Sequence, residues 1–406
     1  MKRIFISIIA VPVGIFFLPW VILLALVARF RTKPIDIGLG PQPLINNIHH
    51  KQALILGGFS AETFCVEPYF ITSEFDRVFL NASSNWTFIG KKYLAYIRAY
   101  SWSILRHRCH YLYFNGGALG SLPLLQSLEP CLYALARVRT VMMPYGADVH
   151  TMARTKNLIF KRSLREDYPT FHESDKTTAC RVRKWERQAD YIICGADWVD
   201  YVDHWDKLML GHFSIDAELW DSQAPEVPKD GFTHNRPLRI LHAPNHREIK
   251  GTRHFRQAVE QLRKEGCPVE LVTIEKKPND VVREAILQAD VIADQLIIGW
   301  YAMFAIEGMA MRRPVLCYLR PDLVDFYVES GLWEKAEIPL VNTSHDSVIE
   351  KIRMFLEEPK KVAEIGNLSR QFVEKHHSTE AIGSVFREIN ESLGIYPTGA
   401  SWQKKK

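Results

Sequence analysis

The chain has 406 residues, which is enough for two globular domains and an appended segment. Hydrophobic residues make up 47% of it and charged residues 24%, proportions that exclude an intrinsically disordered protein. The formal net charge of +5 is too small to indicate a nucleic-acid partner, but it suits a protein that works at an anionic membrane surface or on a phosphorylated substrate.

The cysteines are few and dispersed. None of the seven forms a CxxC pair, so the sequence indicates neither a zinc site nor a disulfide framework. An odd number of scattered thiols favours a reducing compartment.

The chain opens with a long apolar segment. Ile4 to Ala28 is almost wholly apolar and uncharged, and as a helix it would be about 37 Å long, enough to cross a bilayer. Pro12 and Pro19 would kink such a helix, so an in-plane or re-entrant segment is an alternative. A cleaved signal peptide is a further alternative, but the apolar stretch is long for one and no convincing cleavage site follows it. Residues 1–33 are therefore interpreted as a membrane anchor outside both domains, with the flanking basic residues slightly favouring a cytoplasmic catalytic part.

Residues 34–220 are predicted to form a first domain of alternating strands and helices. Four apolar strands run into loops that contain glycine: Ile35–Leu39, Tyr111–Phe114, Thr140–Pro144 and Tyr191–Cys194. Such junctions are typical of a parallel, doubly wound sheet and not of an all-β fold. Gly40 and Gly116, in two of these loops, are expected to leave room for an acceptor or a donor diphosphate.

The rest of this first domain allows alternative interpretations. Asp148 follows the third strand as a candidate catalytic residue or, alternatively, as a helix N-cap, and His150 fits a surface residue as well as a ligand. Residues 154–187 are interpreted as a solvated insertion, with a basic face toward a membrane or an anionic acceptor as the alternative. Residues 221–237, rich in proline, glycine and charge, are expected to be the interdomain linker.

Residues 238–380 alternate regularly between apolar strands and helices, which predicts a second doubly wound domain. Residues 381–406 are predicted to add a C-terminal helix and a basic tail. In open parallel sheets, ligands bind beyond the carboxyl ends of the strands. Two strand–loop–helix junctions of this domain carry polar residues at that edge.

The first junction follows the strand Arg239–His242. Arg247 and Lys250 place two cations beside Gly251, where the backbone can come close to a ligand. Thr252 is predicted to cap the next helix, whose unpaired N–H groups and dipole favour an anion. Together they predict a cradle for a diphosphate, although two cations before a helix are equally typical of a solvated surface.

The second junction begins at Asp294, after the strand Val291–Ala293. Glu307 follows it inside an apolar helical run, and buried carboxylates are rare without a partner. A ribose that presents two hydroxyl groups would be such a partner.

The two junctions together resemble the C-terminal half of the family-four retaining glycosyltransferases. In that family a Lys-Gly loop holds the donor diphosphate, and a Glu-(seven residues)-Glu-x-Met-Ala segment before a Pro-Val strand holds the sugar and ribose. Lys250-Gly251, Glu307-Gly-Met-Ala and Pro314-Val match this pattern. Gly299 stands at the position of the first glutamate, and Arg312 replaces the glycine usual before the basic residue and proline.

The resemblance implies the GT-B fold, an α/β architecture in which two doubly wound, Rossmann-like domains face a cleft and a late helix crosses back onto the first domain. It implies transfer of a sugar from a nucleoside-diphosphate donor to a glycan or lipid-linked acceptor, with retention at the anomeric carbon. The leaving phosphate would take the acceptor's proton, so no carboxylate nucleophile is needed.

The resemblance also assigns roles to residues of this chain. Arg247, Lys250 and Asp148 would take part in catalysis. The residues expected to bind the donor are Gly251, Thr252, Asp294, Gly299, Glu307, Gly40 and Gly116. We expect no cofactor and no metal ion, and a place in bacterial polysaccharide biosynthesis at the cytoplasmic side of the inner membrane.

Two other functions and another location stay open. A non-catalytic nucleotide-sugar-binding subunit would be compatible with the departures from the family pattern at Gly299, Arg312 and Tyr145. Tyr145 stands where the family often has a histidine. A GT-B epimerase that acts on the nucleotide sugar is a second alternative. Asn-x-Ser/Thr sequences compatible with a lumenal enzyme begin at Asn81, Asn85, Asn342, Asn367 and Asn390.

Overall fold

The computed structural model describes residues 2–69, 72, 74–80 and 89–397. Within these ranges the chain forms an N-terminal helix, α1 (Lys2–Phe30), and two β-sheets whose paired strands are all parallel. Helices cover both sheets, so the predicted α/β class is confirmed.

The first sheet contains seven strands in the order β3-β2-β1-β4-β5-β6-β7. They are β1 (Ile35–Leu39), β2 (Ala61–Cys65), β3 (Arg77–Val78), β4 (His107–Leu112), β5 (Arg139–Met142), β6 (Tyr191–Gly195) and β7 (Lys207–Met209). The order reverses between β1 and β4, which makes the loops after these two strands the switch point where ligands bind in such sheets. The sequence did not predict β7, an edge strand too short to carry a periodic signal.

Helices pack on both faces of this sheet. The helices between its strands are α2 (Asn46–Leu56), α3 (Ile89–Ile104), α4 (Leu125–Leu135), α5 (Leu158–Asp167) and α6 (Asp175–Gln188). Apolar side chains of α2 and of β1 belong to one core cluster, whereas those of α3, α4 and α6 belong to another. The central strands therefore bury their two faces in different cores, as β5 does with Val141 in the first cluster and Met142 in the second.

The second sheet has five strands in the order β12-β11-β10-β8-β9. They are β8 (Leu238–His242), β9 (Val269–Thr273), β10 (Val291–Gln295), β11 (Val315–Cys317) and β12 (Val341–Asn342). The helices are α7 (Arg247–Lys250), α8 (Thr252–Lys264), α9 (Asn279–Leu287), α10 (Met303–Ala310), α11 (Pro321–Glu329), α12 (Val348–Glu357), α13 (Lys361–His376) and α14 (Thr379–Ser392). The switch point lies between β8 and β10, where the two predicted polar junctions begin. The last helix, α14, packs against α2 of the first domain, which is the crossing expected of the fold.

The N-terminal helix has one covered face and one exposed face. It packs against α3 and α4, where Val21, Ala25 and Ala28 are fully buried. The expectation that this segment lies outside both domains is therefore wrong for its second half, because that half belongs to the first domain's core. The stretch Val11–Phe30 is nevertheless long and apolar enough to cross a membrane. Its exposed apolar side chains include Ile15, Phe16, Trp20, Leu23, Val27 and Phe30.

Part of the segment interpreted as solvated connects the two domains instead. Phe160 and Leu164 of α5 are buried in the core of the second domain. The Asp167 carboxylate accepts the backbone N–H of Ile249 at 3.0 Å, which joins α5 to α7. The solvated interpretation is wrong for α5, because one side of the helix is buried through Phe160 and Leu164.

A second apolar contact joins the domains beside the end of β6. Trp300 and Tyr327 pack in one continuous core with Trp198 and Tyr201. The indole Nε1 of Trp300 donates to the carbonyl oxygen of Leu210 at 2.9 Å. The loop after β10 is thus anchored to the first domain.

Candidate functional site

The loops after β8 and β10 lie against each other at the switch point of the second sheet. Gly251 has φ +74°, and a Cβ at this position would lie 3.2 Å from side-chain carbons of Leu296 and Ile297. Glycine is needed here for the left-handed turn between α7 and α8 and for the contact between the two loops. Any residue with a side chain would push the loops apart.

The start of α8 differs from the sequence prediction. Gly251, not Thr252, precedes its first residue, so the predicted N-cap at Thr252 is wrong. The buried Thr252 hydroxyl lies 2.9 Å from Nε2 of His242, whose Nδ1 lies 2.7 Å from the carbonyl oxygen of Ala293. Since a carbonyl only accepts, Nδ1 carries the proton and Nε2 accepts from the threonine. Burial lowers the pKa of His242 to about 4, which keeps the ring neutral and this link intact.

Lys250 and Asp294 meet in an ion pair between the two loops. The Lys250 Nζ lies 2.6 Å from Oδ1 of Asp294, with the lysine side chain 15% exposed and the aspartate fully buried. The structure thus brings together one cation and one carboxylate that the sequence assigned to the same site. The pair is neutral overall, but its lysine end reaches the surface of the junction.

Arg247 points away from this pair. Its Nε and Nη2 atoms each donate to a carboxylate oxygen of Glu275 at 2.8 Å, and the arginine side chain is more than half exposed. Solvent screens such a surface pair, so separating it costs little. The guanidinium can therefore turn toward an anion bound near Lys250.

Glu307 lies on α10 and is almost completely buried. Its Oε1 accepts a hydrogen bond from Nδ2 of Asn279 at 2.8 Å, at the start of α9. Burial raises the pKa of Glu307 to about 7, the Asn279 hydrogen bond opposes this shift, and the negative charge of Asp294 adds to it. The Glu307 carboxyl therefore senses the charge of Asp294, the acidic member of the Lys250–Asp294 pair.

The arginines that follow α10 do not neutralise Glu307. Arg312 pairs with Asp221, and Arg313 donates to backbone carbonyls such as that of Leu287. In the described part of the chain no cation forms an ion pair with the Glu307 carboxylate. It still has the capacity to accept hydrogen bonds from a ligand.

The side chain of Arg320 fills the space that a side chain at position 299 would need. Gly299 has φ +102°, and a Cβ there would lie 3.1 to 3.2 Å from three side-chain carbons of Arg320. The Arg320 guanidinium is itself fixed, 2.6 Å from carboxylate oxygens of Asp200 and Asp322. A glutamate at this position, as in the resembling family, would need a strained backbone and a displaced arginine.

Asp148 organises the backbone of the first domain's loops. Its Oδ1 accepts the N–H groups of Tyr145 and Gly146 at 2.9 and 3.0 Å, and its Oδ2 accepts that of Phe114 at 2.9 Å. Burial raises its pKa to about 6, and the hydrogen bonds partly offset this. The helix N-cap interpretation is wrong, because the next helix begins only at Leu158. Its predicted contact with substrate stays a prediction.

Gly40 and Gly116 serve close packing at the switch point of the first sheet. A Cβ at Gly40 would lie 2.1 Å from the carbonyl oxygen of Phe64, and one at Gly116 would lie 2.9 Å from Oε2 of Glu129. Beside them a cavity of about 370 Å³ opens between Pro41 and the loop after β4. Space for a ligand therefore lies next to these glycines. The space directly above each glycine Cα is already occupied by protein atoms.

Sequence reasoning missed three residues that shape these loops: Asn279, Glu275 and Glu129. Glu129 is fully buried on α4 and accepts the N–H groups of Gly117 and Leu119 at 2.9 and 2.7 Å. Burial raises its pKa to about 7. The signal that identified Glu307, an acid inside an apolar helical run, is equally present around Glu129 and would have found it.

Comparison with solved structures identifies the architecture. Sucrose-phosphate synthase from Thermosynechococcus elongatus is similar with a TM-score of 0.57 and 13% identity, covering 89% of this chain and 99% of that one. A glycosyltransferase from Rickettsia africae is similar with a TM-score of 0.54 and 10% identity, and the match again covers 89% of this chain and 99% of that one. The chain has the GT-B fold.

Similarity at this level of identity concerns the fold alone. No protein-family model matches the sequence, and no curated protein sequence matches it either. The GT-B architecture predicted from the two polar junctions is confirmed, and the chemistry has to be argued from the residues at those junctions.

Proposed function

We propose that the protein is a glycosyltransferase that moves a sugar from a nucleoside-diphosphate donor to a glycan or lipid-linked acceptor, with retention at the anomeric carbon. The observation that carries the proposal is the grouping of Lys250, Asp294 and Glu307 at the switch point of the second sheet in a GT-B fold. In open α/β sheets this is where nucleotides bind.

The donor would place its diphosphate beside Lys250 and Arg247 and its ribose at Glu307. Lys250 is held by Asp294, so the lysine is fixed in position before the donor arrives. Arg247 would leave its exposed partner Glu275 and complete the cradle. Both cations would stabilise the negative charge that builds up on the diphosphate as the glycosidic bond breaks.

Retention would proceed on one face of the sugar, with the leaving phosphate accepting the acceptor's proton. This route needs no protein carboxylate next to the anomeric carbon, which is compatible with glycine at position 299. The absence of a carboxylate there would affect the choice of donor sugar more than the reaction itself. We expect neither a metal ion nor a cofactor to be required.

We also propose that α1 attaches the protein to the inner membrane, with both domains in the cytoplasm. One face of α1 is buried against α3 and α4, so only the other face is free to contact lipid. This favours a helix lying in the membrane surface over one that spans the bilayer. Among the Asn-x-Ser/Thr sequences compatible with a lumenal enzyme, the one at Asn390 is inaccessible, because Asn390 is buried and its Oδ1 accepts the hydroxyl of Tyr111 at 3.2 Å. Asn342 and Asn367, in contrast, are exposed.

A non-catalytic, nucleotide-sugar-binding subunit is the second candidate. Two observations favour it: Lys250 is already paired with Asp294, and the side chain of Arg320 fills the space at Gly299. Such a subunit would bind a nucleotide sugar without consuming it. A nucleotide-sugar epimerase would convert the donor without any acceptor.

Calorimetric binding of a panel of nucleoside diphosphates and nucleotide sugars, followed by a product assay, separates these functions. A glycosyltransferase should release nucleoside diphosphate only after a lipid-linked or glycan acceptor is added. Binding without release would support the non-catalytic subunit, and an altered sugar without acceptor would support the epimerase. Absence of binding by every nucleotide would overturn all three.

A further inference from the structure

A cavity of about 760 Å³ lies in the first domain between α4 and α6, outside the nucleotide site described above. Its wall is unusually rich in charged side chains. They are Arg154, Asp175, Lys176, Arg181, Arg183 and Lys184.

The single carboxylate of this wall is engaged by the backbone. Asp175 accepts the N–H groups of Met152 and Ala153, each at 2.9 Å. Arg154 is paired with Asp203, which lies outside the cavity wall, at 2.5 Å. The other four cations, Lys176, Arg181, Arg183 and Lys184, form no ion pair with any described residue. The cavity wall therefore carries more positive than negative charge, although the buried carboxylate of Asp148 attracts Arg181 and that of Glu129 attracts Lys184.

Two polar groups of the wall also lack a hydrogen-bond partner among the described residues. They are the hydroxyl of Thr151, a residue only 3% exposed, and Nε of Arg181. The Arg181 side chain is held in place, because its Nη2 donates to the carbonyl oxygen of Asp148 at 3.1 Å. A buried donor left without a partner costs free energy, so these groups point to a ligand with acceptor oxygens.

The cavity lies across α4 from α1, the helix that contacts the membrane in our proposal. Gln126 and Ser127, at the start of α4, line the cavity on one side of this helix. On the other side α1 touches the same turn, since a Cβ at Gly14 would lie 3.2 Å from the Leu124 side chain. Helix α4 therefore lies between the cavity and α1, a separation of about one helix diameter, on the order of 10 Å.

We propose that this cavity binds a phosphate-bearing group, and that the group belongs to the membrane lipid that serves as acceptor. Arginine and lysine side chains bind phosphate oxygens through charge-assisted hydrogen bonds, and both kinds line the cavity. The lipid chain would remain beside α1 while its phosphate occupies the cavity. The role as acceptor rests on the proposed function, whereas binding of the phosphate does not.

Cys180 provides a local test, because it is exposed and lines the cavity. The rate of its alkylation by N-ethylmaleimide would be measured by peptide mass spectrometry on the full chain, after the non-ionic detergent used for purification has been removed. Cys131 is also exposed but does not line the cavity, so it is an internal control in the same molecule. The probes are inorganic pyrophosphate, sodium chloride at equal ionic strength, and vesicles of phosphatidylcholine with or without phosphatidic acid.

We expect pyrophosphate and phosphatidic-acid vesicles to slow alkylation of Cys180 several-fold and to leave Cys131 unchanged. Protection by pyrophosphate alone would support a phosphate site but assign it to a soluble ligand. Protection by neither, or equal protection by sodium chloride, would overturn the site. Nucleoside-diphosphate binding beside Lys250 is measured separately by calorimetry, so either proposal can fail alone.

Variants connect the protection to the cations of the wall. Arg181→Gln should abolish it, and so should Lys176→Gln combined with Arg183→Gln, two exposed positions where folding is not at risk. The matched control is Arg263→Gln with Lys264→Gln on α8, which removes the same charge from a different exposed site. Protection that persists in both cavity variants would contradict the proposal.

Discussion

Lys250 and Asp294 neutralise each other at the switch point of the second sheet, which determines how each can act on a ligand. A buried pair holds its lysine in place, so a bound diphosphate would lose little side-chain entropy in ordering it. The same pairing means that removing the lysine leaves a buried carboxylate without a partner. Binding and stability therefore have to be measured together for this residue.

Lys250→Met should weaken binding of a nucleoside diphosphate by about 1.5–3 kcal/mol, the range for a hydrogen bond to a charged group. It should also lower the free energy of unfolding, because Asp294 remains buried and unpaired. The control is the double variant Lys250→Met with Asp294→Asn, which should recover stability but not affinity. Unchanged affinity in the single variant would remove Lys250 from the donor site.

Glu307→Gln should separate ligand binding from stability. It should reduce donor affinity by roughly 1–3 kcal/mol, because a charged acceptor for the ribose hydroxyls is lost. Stability should not fall, since the described residues around Glu307 include the amide of Asn279 and no paired cation. Calorimetry and urea unfolding on the same variant measure both quantities.

The pH dependence of this variant follows from the raised pKa of Glu307, about 7 in the folded protein. A carboxyl group with a raised pKa stabilises the fold at low pH, and this contribution is lost as the pH rises through 7. Relative to the wild type, Glu307→Gln should therefore gain on the order of 3 kcal/mol between acidic and weakly alkaline pH. Glu129 and Asp148 also have raised pKa values, but both residues are present in the wild type and in the variant. Their contributions therefore cancel in the stability difference between the two proteins. A difference in unfolding free energy between variant and wild type that stays constant across this pH range would contradict the raised pKa of Glu307.

At the scale of elements, the second domain was predictable because its strands and helices bury apolar residues with regular periods. The prediction of Arg239–His242 as a strand differs from the structure by one residue, and that of Val291–Ala293 ends two residues too early. The helix α7 was missed because its four residues carry no periodic signal, and its bounds depend on the left-handed turn at Gly251. Sequence also placed Lys250 and Asp294 at one site, because consecutive strands of such a sheet end at the same edge.

The elements that join the domains were not predictable in the same way. Helix α5 is polar over most of its length, and only Phe160 and Leu164 reveal that one side is buried. Whether those residues cover their own domain or the neighbouring one depends on tertiary contacts. The partner of Glu307 was missed for a related reason, since Asn279 is far from it in sequence.

The two faces of α1 should respond differently to substitution. Replacing exposed Phe16, Leu23 and Val27 with serine should reduce co-sedimentation with lipid vesicles and leave the free energy of unfolding unchanged. Leu24→Ala on the buried face should lower that free energy by about 2–5 kcal/mol and leave vesicle binding unchanged. Both would be measured on detergent-purified full-length chain. Vesicle binding that survives the triple variant would exclude α1 as the attachment surface.

At the scale of the whole molecule, the relation between the domains depends on a buried charge pair as well as on apolar packing. Arg320, at the start of α11, lies 2.6 Å from the carboxylate of Asp200 in the first domain. The side chain of Arg320 also packs against Gly299, in the loop that follows the donor-side strand β10. Any rotation of one domain against the other would have to separate these charges or carry the loop with it.

Asp200→Asn therefore tests whether this contact fixes the domains in one arrangement. It leaves the Arg320 guanidinium buried with only the largely exposed Asp322 as a charged partner. Removing one member of a buried pair costs about 3–5 kcal/mol of unfolding free energy. We expect such a loss in urea unfolding, together with a larger radius of gyration in small-angle X-ray scattering as the domains separate.

Asp203→Asn is the matched control, because it makes the same chemical change at an exposed carboxylate a short distance along the chain. Asp203 pairs with Arg154 at the surface, where solvent screens the interaction, so its loss should cost at most about 1 kcal/mol. The radius of gyration should not change in this control. Equal losses in the two variants would show that Asp200 and Arg320 add nothing beyond an ordinary surface pair. The apolar contacts, those of Trp300 and Tyr327 and those of α5, would then hold the domains together without this charge pair.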